Sequence, residues 1–217
     1  MIKAVIFDMD GLLIDSEPRW DQARTDMAKR LGKSWGKKDH EAVMGVSTEA
    51  WATYMRDTWD LAMSLEEIVE EIVGRMREYY RERIPFRKNA VEAVNLAAEH
   101  YRTALASGSE RSLIDIVTTS EELGGKFEVV LSADQVERGK PHPDVYLETA
   151  KRLGVAPRQC VCLEDSKNGM LAGLNAGFKV IGIPDKAFPV DKEVLDRVDA
   201  VLESLDGVTV ELVESLG

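Results

Sequence analysis

Residues 4–15 read AVIFDMDGLLID. Ala4, Val5, Ile6 and Phe7 have the apolar, partly β-branched make-up of a strand buried on both faces. Asp8 and Asp10 follow at once, with Gly11 behind them. Carboxylates this close are costly to bury unpaired. A strand that runs straight into them therefore either ends in a plain turn or delivers them to a site.

The rest of the chain repeats the strand without the acid pair. RTALAS (102–107), EVVLSA (128–133), CVCLED (160–165) and KVIGIP (179–184) read as further buried strands, and DAVLES (199–204) as a sixth. Between them lie helical patterns: NAVEAVNLAAEH (89–100), SLIDIVTTSEEL (112–123), PDVYLETAKRLG (143–154) and NGMLAGLNAG (168–177). Strand and helix in alternation imply a mainly parallel sheet covered on both faces. The expected class is α/β, a three-layer Rossmann-like core. One interval breaks the rhythm. Residues 16–84 hold no convincing strand, and SLEEIVEEIVGRMREYYRERI (64–84) carries an apolar stripe at Leu65, Ile68, Val69, Ile72, Val73 and Met76. The expected organisation is a core of residues 1–15 and 85–217, with an all-helical insert of residues 16–84 and Pro85 marking the return to the sheet.

The chain has 217 residues, is 44% hydrophobic and carries a formal net charge of -11. Such an acid excess argues against nucleic acid or an anionic membrane surface as partner. The opening residues read as the first strand itself, so no signal peptide is expected. No run approaches the ~18 apolar residues of a membrane span. Cys160 and Cys162 point the same way on one strand, which is poor disulfide geometry. They read as buried thiols of a cytoplasmic protein, with a monomer as the default assembly.

In a doubly wound sheet, ligands bind beyond the carboxyl ends of the strands. Those ends carry Asp8 and Asp10, then Ser107-Gly108-Ser109, then Lys140 in ERGKPHPD, then Glu164-Asp165-Ser166. Oxygen-only carboxylate ligands suit Mg2+, a hard cation often shared with a phosphate. Ser107, the amides near Gly108 and Lys140 offer the donors that a phosphate needs. One carboxylate can attack phosphorus while a second moves protons.

Taken together, DMDGLLIDSEP, ASGS, GKPHPD and LEDSKNG resemble the four ordered motifs of the haloacid dehalogenase superfamily, in the branch holding β-phosphoglucomutase and small sugar-phosphate phosphatases. DGLLIDSEPRWDQA is most similar to bacterial 2-deoxyglucose-6-phosphate or hexitol phosphatases. The resemblance implies Asp8 as nucleophile and metal ligand, and Asp10 as general acid/base whose carbonyl also touches the metal. It implies Ser107, Gly108 and Lys140 as phosphate-binding, and Asp165 with Glu164 completing a Mg2+ shell. Asp10 speaks for phosphoryl transfer, since the true dehalogenases lack it. The insert matches the family's helical cap, and VMGVSTEA (43–50) resembles its specificity loop. Glu17, Trp20, Gly45, Ser47 and Thr48 are the candidate substrate contacts.

The expected activity is a Mg2+-dependent phosphatase of a small phosphorylated metabolite, a sugar phosphate above all, working through a phospho-aspartate. The alternative is a phosphosugar mutase. The mutases carry a cap arginine and a histidine where this chain has Thr48 and Trp20, with Arg19, Arg75 or Arg77 as the conceivable replacements for that arginine. A phospho-accepting signalling module and a catalytically silent binding protein are the rival classes. Singly, each residue also has a plainer reading. Asp8 and Gly11 suit a turn, Ser107 and Asp165 suit helix caps, Lys140 suits a solvated loop, Trp20 suits packing and Glu17 a hinge. His40 and His100 read as surface residues.

Overall fold

The computed structural model describes residues 1–43, 46–186 and 188–217. Its strands are β1 (Ala4–Phe7), β2 (Arg102–Ser107), β3 (Val129–Ser132), β4 (Cys160–Glu164), β5 (Lys179–Gly182) and β6 (Ala200–Val201). All pair in parallel, in the order β3-β2-β1-β4-β5-β6. The sheet thus reverses direction of growth at β1, the switch point where such folds bind ligands.

Successive side chains on a strand face opposite layers. Ala4, Ile6, Ala104, Ala106, Cys160, Cys162 and Val180 pack in one layer. Val5, Phe7, Leu105, Val161, Leu163 and Ile181 pack in the other. Both cysteines are buried and unpaired, as the strand reading expects.

The helices are α1 (Glu17–Arg30), α2 (Lys37–Val43), α3 (Thr48–Trp59), α4 (Leu65–Glu82), α5 (Ala90–His100), α6 (Arg111–Thr118), α7 (Asp144–Leu153), α8 (Lys167–Ala176), α9 (Lys192–Leu195) and α10 (Val210–Ser215). Helices α7 and α8 cover one face of the sheet, and α5 and α6 cover the other. Two elements fall short of the sequence reading. α6 stops at Thr118, where a β-branched run meets Ser120 and a turn through Gly125 at φ +75°. β6 pairs over only two residues before the chain leaves for a turn at Leu205–Gly207.

The four helices α1–α4 lie between β1 and the return at Pro85. α4 opens with a capping box: Ser64 Oγ accepts from the Glu67 N–H at 3.2 Å, and Glu67 Oε2 accepts from the Ser64 N–H at 2.8 Å. Its expected stripe turns inward at Ile68, Ile72, Val73 and Met76, with Tyr80 added, while Leu65 and Val69 are only partly covered. α4 packs on α1 and α3, and also on α6 of the core. The two connections between insert and core run side by side. The Asp15 N–H donates to Pro85 O at 2.8 Å, and the Arg87 N–H donates to Leu13 O at 2.9 Å.

Candidate active site

β1 ends one residue before Asp8. Its register sets Phe7 beside Leu163 of β4 and Leu105 of β2. The next step along the three strands brings Asp8, Glu164 and Ala106 level. Lys140, in the loop ahead of α7, reaches into this row. Its ammonium lies 2.6 Å from Asp8 Oδ1, 2.6 Å from Glu164 Oε1 and 3.1 Å from Ala106 O. An ammonium has three donors, and all three are used. Tyr146 O–H donates to the same Glu164 oxygen.

Two glycines make room for the carboxylates. The turn after β1 places Gly11 at φ +79°, with its N–H on Ile14 O at 2.9 Å. A β-carbon there would stand 2.0 Å from Asp165 Oδ2. Glu164 is fully buried, and a β-carbon on Gly169 of α8 would stand 1.9 Å from its Oε2. Ser166 caps α8 by accepting from the Gly169 N–H at 3.1 Å, so capping falls to Ser166 and not to Asp165.

Asp10 belongs to a different set of partners. Its Oδ2 accepts from Ser109 Oγ at 2.7 Å and from Ser107 Oγ at 3.1 Å, and its Oδ1 faces the Trp20 indole N–H at 3.4 Å. Ser107 is no cap for α6, because Glu110 does that work. The two aspartates of the motif are therefore separated in role by their neighbours. Asp8 is held against an ammonium, and Asp10 against neutral donors.

The electrostatics follow from burial. Desolvation pushes Asp8 up to about 8, Lys140 pulls against it, and Glu164 and Asp10 push further. Asp165 is raised well above the ordinary range by burial, then by Asp8 and Glu164. Burial works against the charge of Lys140, but Asp8 and Glu164 outweigh it and raise the ammonium above its ordinary value. The cluster is short of positive charge. Asp8, Glu164 and Asp165 each bring one carboxylate oxygen within 4.8 Å of the others. Asp165 Oδ1 is buried without a hydrogen-bond partner. A hard divalent cation fits this donor set.

Above these groups opens a cavity of about 440 Å³. Asp8, Asp10, Ser107, Gly108, Lys140 and Asp165 line its core side, and α1–α3 close the other. Among the expected substrate contacts, Glu17, Trp20 and Thr48 line it. Trp20 both packs and lines, with its ring 6.1 Å from that of Trp51. Thr48 Oγ1 donates to Asp134 Oδ2 of the core at 3.2 Å. Ser47 is not on the cavity wall. Its hydroxyl caps α3, accepting from the Ala50 N–H at 3.3 Å, because a helix start needs that acceptor. Gly45 lies outside the described residues.

Other expectations need correction. His40 is buried, 3.3 Å from Glu17 Oε2 and 3.3 Å from Asp21 Oδ1, because α2 folds it back onto α1. Arg19 lies over the Tyr79 ring, Arg75 pairs with Glu71 and Arg77 with Glu70. None of the three lines the cavity. On the helical side it is Arg24, one turn beyond Trp20 on α1, that lines the cavity among the described residues, while Lys140 and Lys167 line its core side. The i, i+4 spacing of Trp20 and Arg24 was the available signal. Ser109, Tyr146 and Gly169 were also missed. Each acts on a motif residue through a fold contact, although Ser109 and Gly169 sit inside motif stretches already singled out.

Residues 2–177 match the model of the haloacid dehalogenase-like hydrolase family. Hexitol phosphatase B of Escherichia coli (strain K12) is 37% identical over 214 residues, covering 96% of this chain and 95% of that protein. The phosphorylated carbohydrates phosphatase of Thermotoga maritima is 31% identical over 182 residues, covering 83% of this chain and 84% of that protein. Among solved structures, CbbY from Rhodobacter sphaeroides in complex with phosphate superposes with a TM-score of 0.87 at 22% identity, over 99% of this chain and 100% of that one. At this identity the likeness is one of fold. No described helix is long and apolar enough to cross a membrane. The matched motifs and the geometry that unites them have one reading: the chain belongs to the haloacid dehalogenase-like hydrolases and, within them, to the phosphoric monoester hydrolases.

Proposed function

We propose that the protein hydrolyses a small phosphorylated metabolite, a sugar or sugar-alcohol phosphate, through a phospho-aspartate on Asp8. The carrying observation is the division of labour between the two carboxylates on the cavity floor. Asp8 is pinned by Lys140 at 2.6 Å, and Asp10 is cradled by Ser107, Ser109 and Trp20. In this reading an Asp8 oxygen forms a bond to phosphorus in line with the departing alcohol oxygen. The phosphorus–alkoxide bond breaks, and Asp10, as general acid, delivers a proton to the leaving oxygen. Asp10, now a carboxylate, takes a proton from the water that attacks the phospho-aspartate. Inorganic phosphate leaves, and both aspartates are restored. Ser107, the Gly108 backbone and Lys140 hold the phosphoryl oxygens.

Asp8, Glu164 and Asp165, with the Asp10 carbonyl, would hold Mg2+. Bound there, it would supply the positive charge that the acidic cluster and a phosphate both lack. Residues 16–84 act as a cap domain over residues 1–15 and 85–217, shielding the reaction from bulk water and reading the alcohol. Hydrolysis is favoured over the mutase alternative by Thr48. At the place of the mutases' arginine it carries no charge and spends its hydroxyl on Asp134. A signalling module is disfavoured by the helical insert that closes the cavity. Buried, unpaired Cys160 and Cys162 suit a cytoplasmic location.

The test is turnover of p-nitrophenyl phosphate with Mg2+ by Asp8→Asn. The variant is expected to lose at least roughly a thousandfold in kcat, the scale on which removing a covalent nucleophile acts. Full activity in Asp8→Asn would refute the nucleophile assignment.

A further inference from the structure

The far half of the cavity holds a charge that this mechanism does not use. Arg24 is 4% exposed, and yet it lines the cavity. Its guanidinium carbon lies 5.0 Å from the Trp20 ring centre, 5.8 Å from that of Trp35 and 5.7 Å from that of Trp51. Ring faces stabilise a cation but accept no in-plane N–H bond. Arg24 Nε has no hydrogen-bond partner. Glu17, Asp21 and Asp10 act on the charge through space, none of them hydrogen-bonded to it. A buried guanidinium with an idle donor is costly, and native structures keep few such groups without a use.

An acceptor without a hydrogen bond stands near it. Glu17 lines the same cavity with its side chain 19% exposed. Its Oε2 lies 3.3 Å from His40 Nε2 but accepts no hydrogen bond. Asp21, by contrast, is committed to the Trp35 indole N–H at 2.9 Å. Burial has pushed Glu17 up to about 7 and Arg24 down to about 10, the mark of two charges short of polar partners. A second phosphate or a carboxylate can only accept. It would suit Arg24 and be repelled by Glu17 wherever that carboxylate is ionised. A hydroxyl both donates and accepts, so one or two neighbouring hydroxyls satisfy both residues at once. Trp20 and Trp51, on the same wall, offer apolar faces to the carbon chain between those hydroxyls.

We propose that Arg24 and Glu17 are the specificity-determining pair for the leaving group, and that they select an uncharged polyhydroxy chain over one bearing a second anionic group. The proposal rests on the phosphatase reading given above, and its test separates the two.

The protein with Mg2+ is assayed on three phosphomonoesters. These are a hexitol monophosphate, the hexonate monophosphate that differs by a carboxylate at the far carbon, and p-nitrophenyl phosphate, which has no hydroxyls. The hexitol ester is expected to exceed the hexonate ester at least tenfold in kcat/KM. Glu17→Gln and Arg24→Met should each lower kcat/KM for the hexitol ester about 10- to 100-fold more than for p-nitrophenyl phosphate, mainly through KM, as loss of a hydrogen bond to a charged group does. Glu17→Gln, nearly isosteric, should also narrow the gap between hexitol and hexonate. Turnover of p-nitrophenyl phosphate reports that each variant is folded. Preference for the hexonate ester, or unmoved ratios in a variant that still turns over p-nitrophenyl phosphate, would overturn the pair while leaving the phosphatase reading in place. Absence of turnover by the wild type on all three esters would remove both.

Discussion

Gly11→Ala separates the fold from the site. At Gly11 the backbone sits at φ +79°, and an added β-carbon would fall 2.0 Å from Asp165 Oδ2 and 2.7 Å from its Cγ. Neither contact is tolerable, so something moves. The Asp165 carboxylate is the end of a side chain and can rotate, whereas the turn at Gly11 is tied by its N–H to Ile14 O. The left-handed backbone costs an alanine roughly 1–2 kcal/mol. For a chain of this size that lowers Tm by about 2–8 °C. Part of this is offset in the metal-free protein, because Asp165 moves away from the like charges of Asp8 and Glu164. The larger effect lies in the cation site. In the wild type, Mg2+ at a hundred times its Kd should add about 2.7 kcal/mol of stability. With Asp165 displaced, that increment should nearly vanish, and the Mg2+ concentration for half-maximal hydrolysis of p-nitrophenyl phosphate should rise at least tenfold. Calorimetric scans with and without Mg2+, together with a Mg2+ titration of activity, read both quantities. A Gly11→Ala protein whose Mg2+-induced shift and half-saturation stay within twofold of wild type would refute the reasoning.

Other substitutions test neighbouring contacts. Gly169→Ala would set a carbon 1.9 Å from Glu164 Oε2 and 2.0 Å from its Cδ. Fully buried Glu164 has nowhere to go, so a loss of about 3 kcal/mol or more is expected in urea unfolding, and a loss under 1 kcal/mol would contradict the packing argument. Lys140→Met strips Asp8 and Glu164 of their shared counter-charge. It should cost about 3–5 kcal/mol in the metal-free protein, with part recovered on adding Mg2+ in the same urea titration. Glu17 gives a pH test. Burial raises it from an ordinary 4.5 to about 7, with Arg24 and His40 alongside and Asp10, Asp15 and Asp21 adding repulsion. The folded state therefore binds this proton more tightly than the unfolded chain does. Its contribution is complete below pH 4.5 and is lost as pH rises through about 7, a swing of roughly 3 kcal/mol. Glu17→Gln should thus match wild type near pH 4.5 and exceed it by several degrees in Tm at pH 8, and equal Tm values at pH 8 would count against the burial of Glu17.

Much of the chemistry was legible from order along the chain. Each strand ends in polar residues, and parallel strands present those ends at one edge. Asp8, Ser107, Lys140 and Asp165 could therefore be gathered on paper, and the structure places all four on the floor of one cavity. The apolar runs marked the strands, since a strand buried on both faces must be apolar throughout. The 3.6-residue stripe marked α4. The substrate side was far less legible. Ser47 and Thr48 follow one another, yet one caps a helix and the other reaches the core. Arg24 looked like any charged helix residue until Trp35 and Trp51, distant in sequence, closed around it.

What the sequence alone determined is the inventory and its order: a parallel sheet, a helical insert after the first strand, and reactive groups at the strand ends. Those follow from local periodicity, which neighbouring residues carry by themselves. What only the tertiary structure decided is which polar groups remain unsatisfied once the chain is packed. The orphaned oxygen of Asp165 and the unpartnered Nε of Arg24 exist because burial removes water and the surrounding residues supply no hydrogen bond in its place. That depends on contacts between segments far apart in the chain, and no local pattern encodes it.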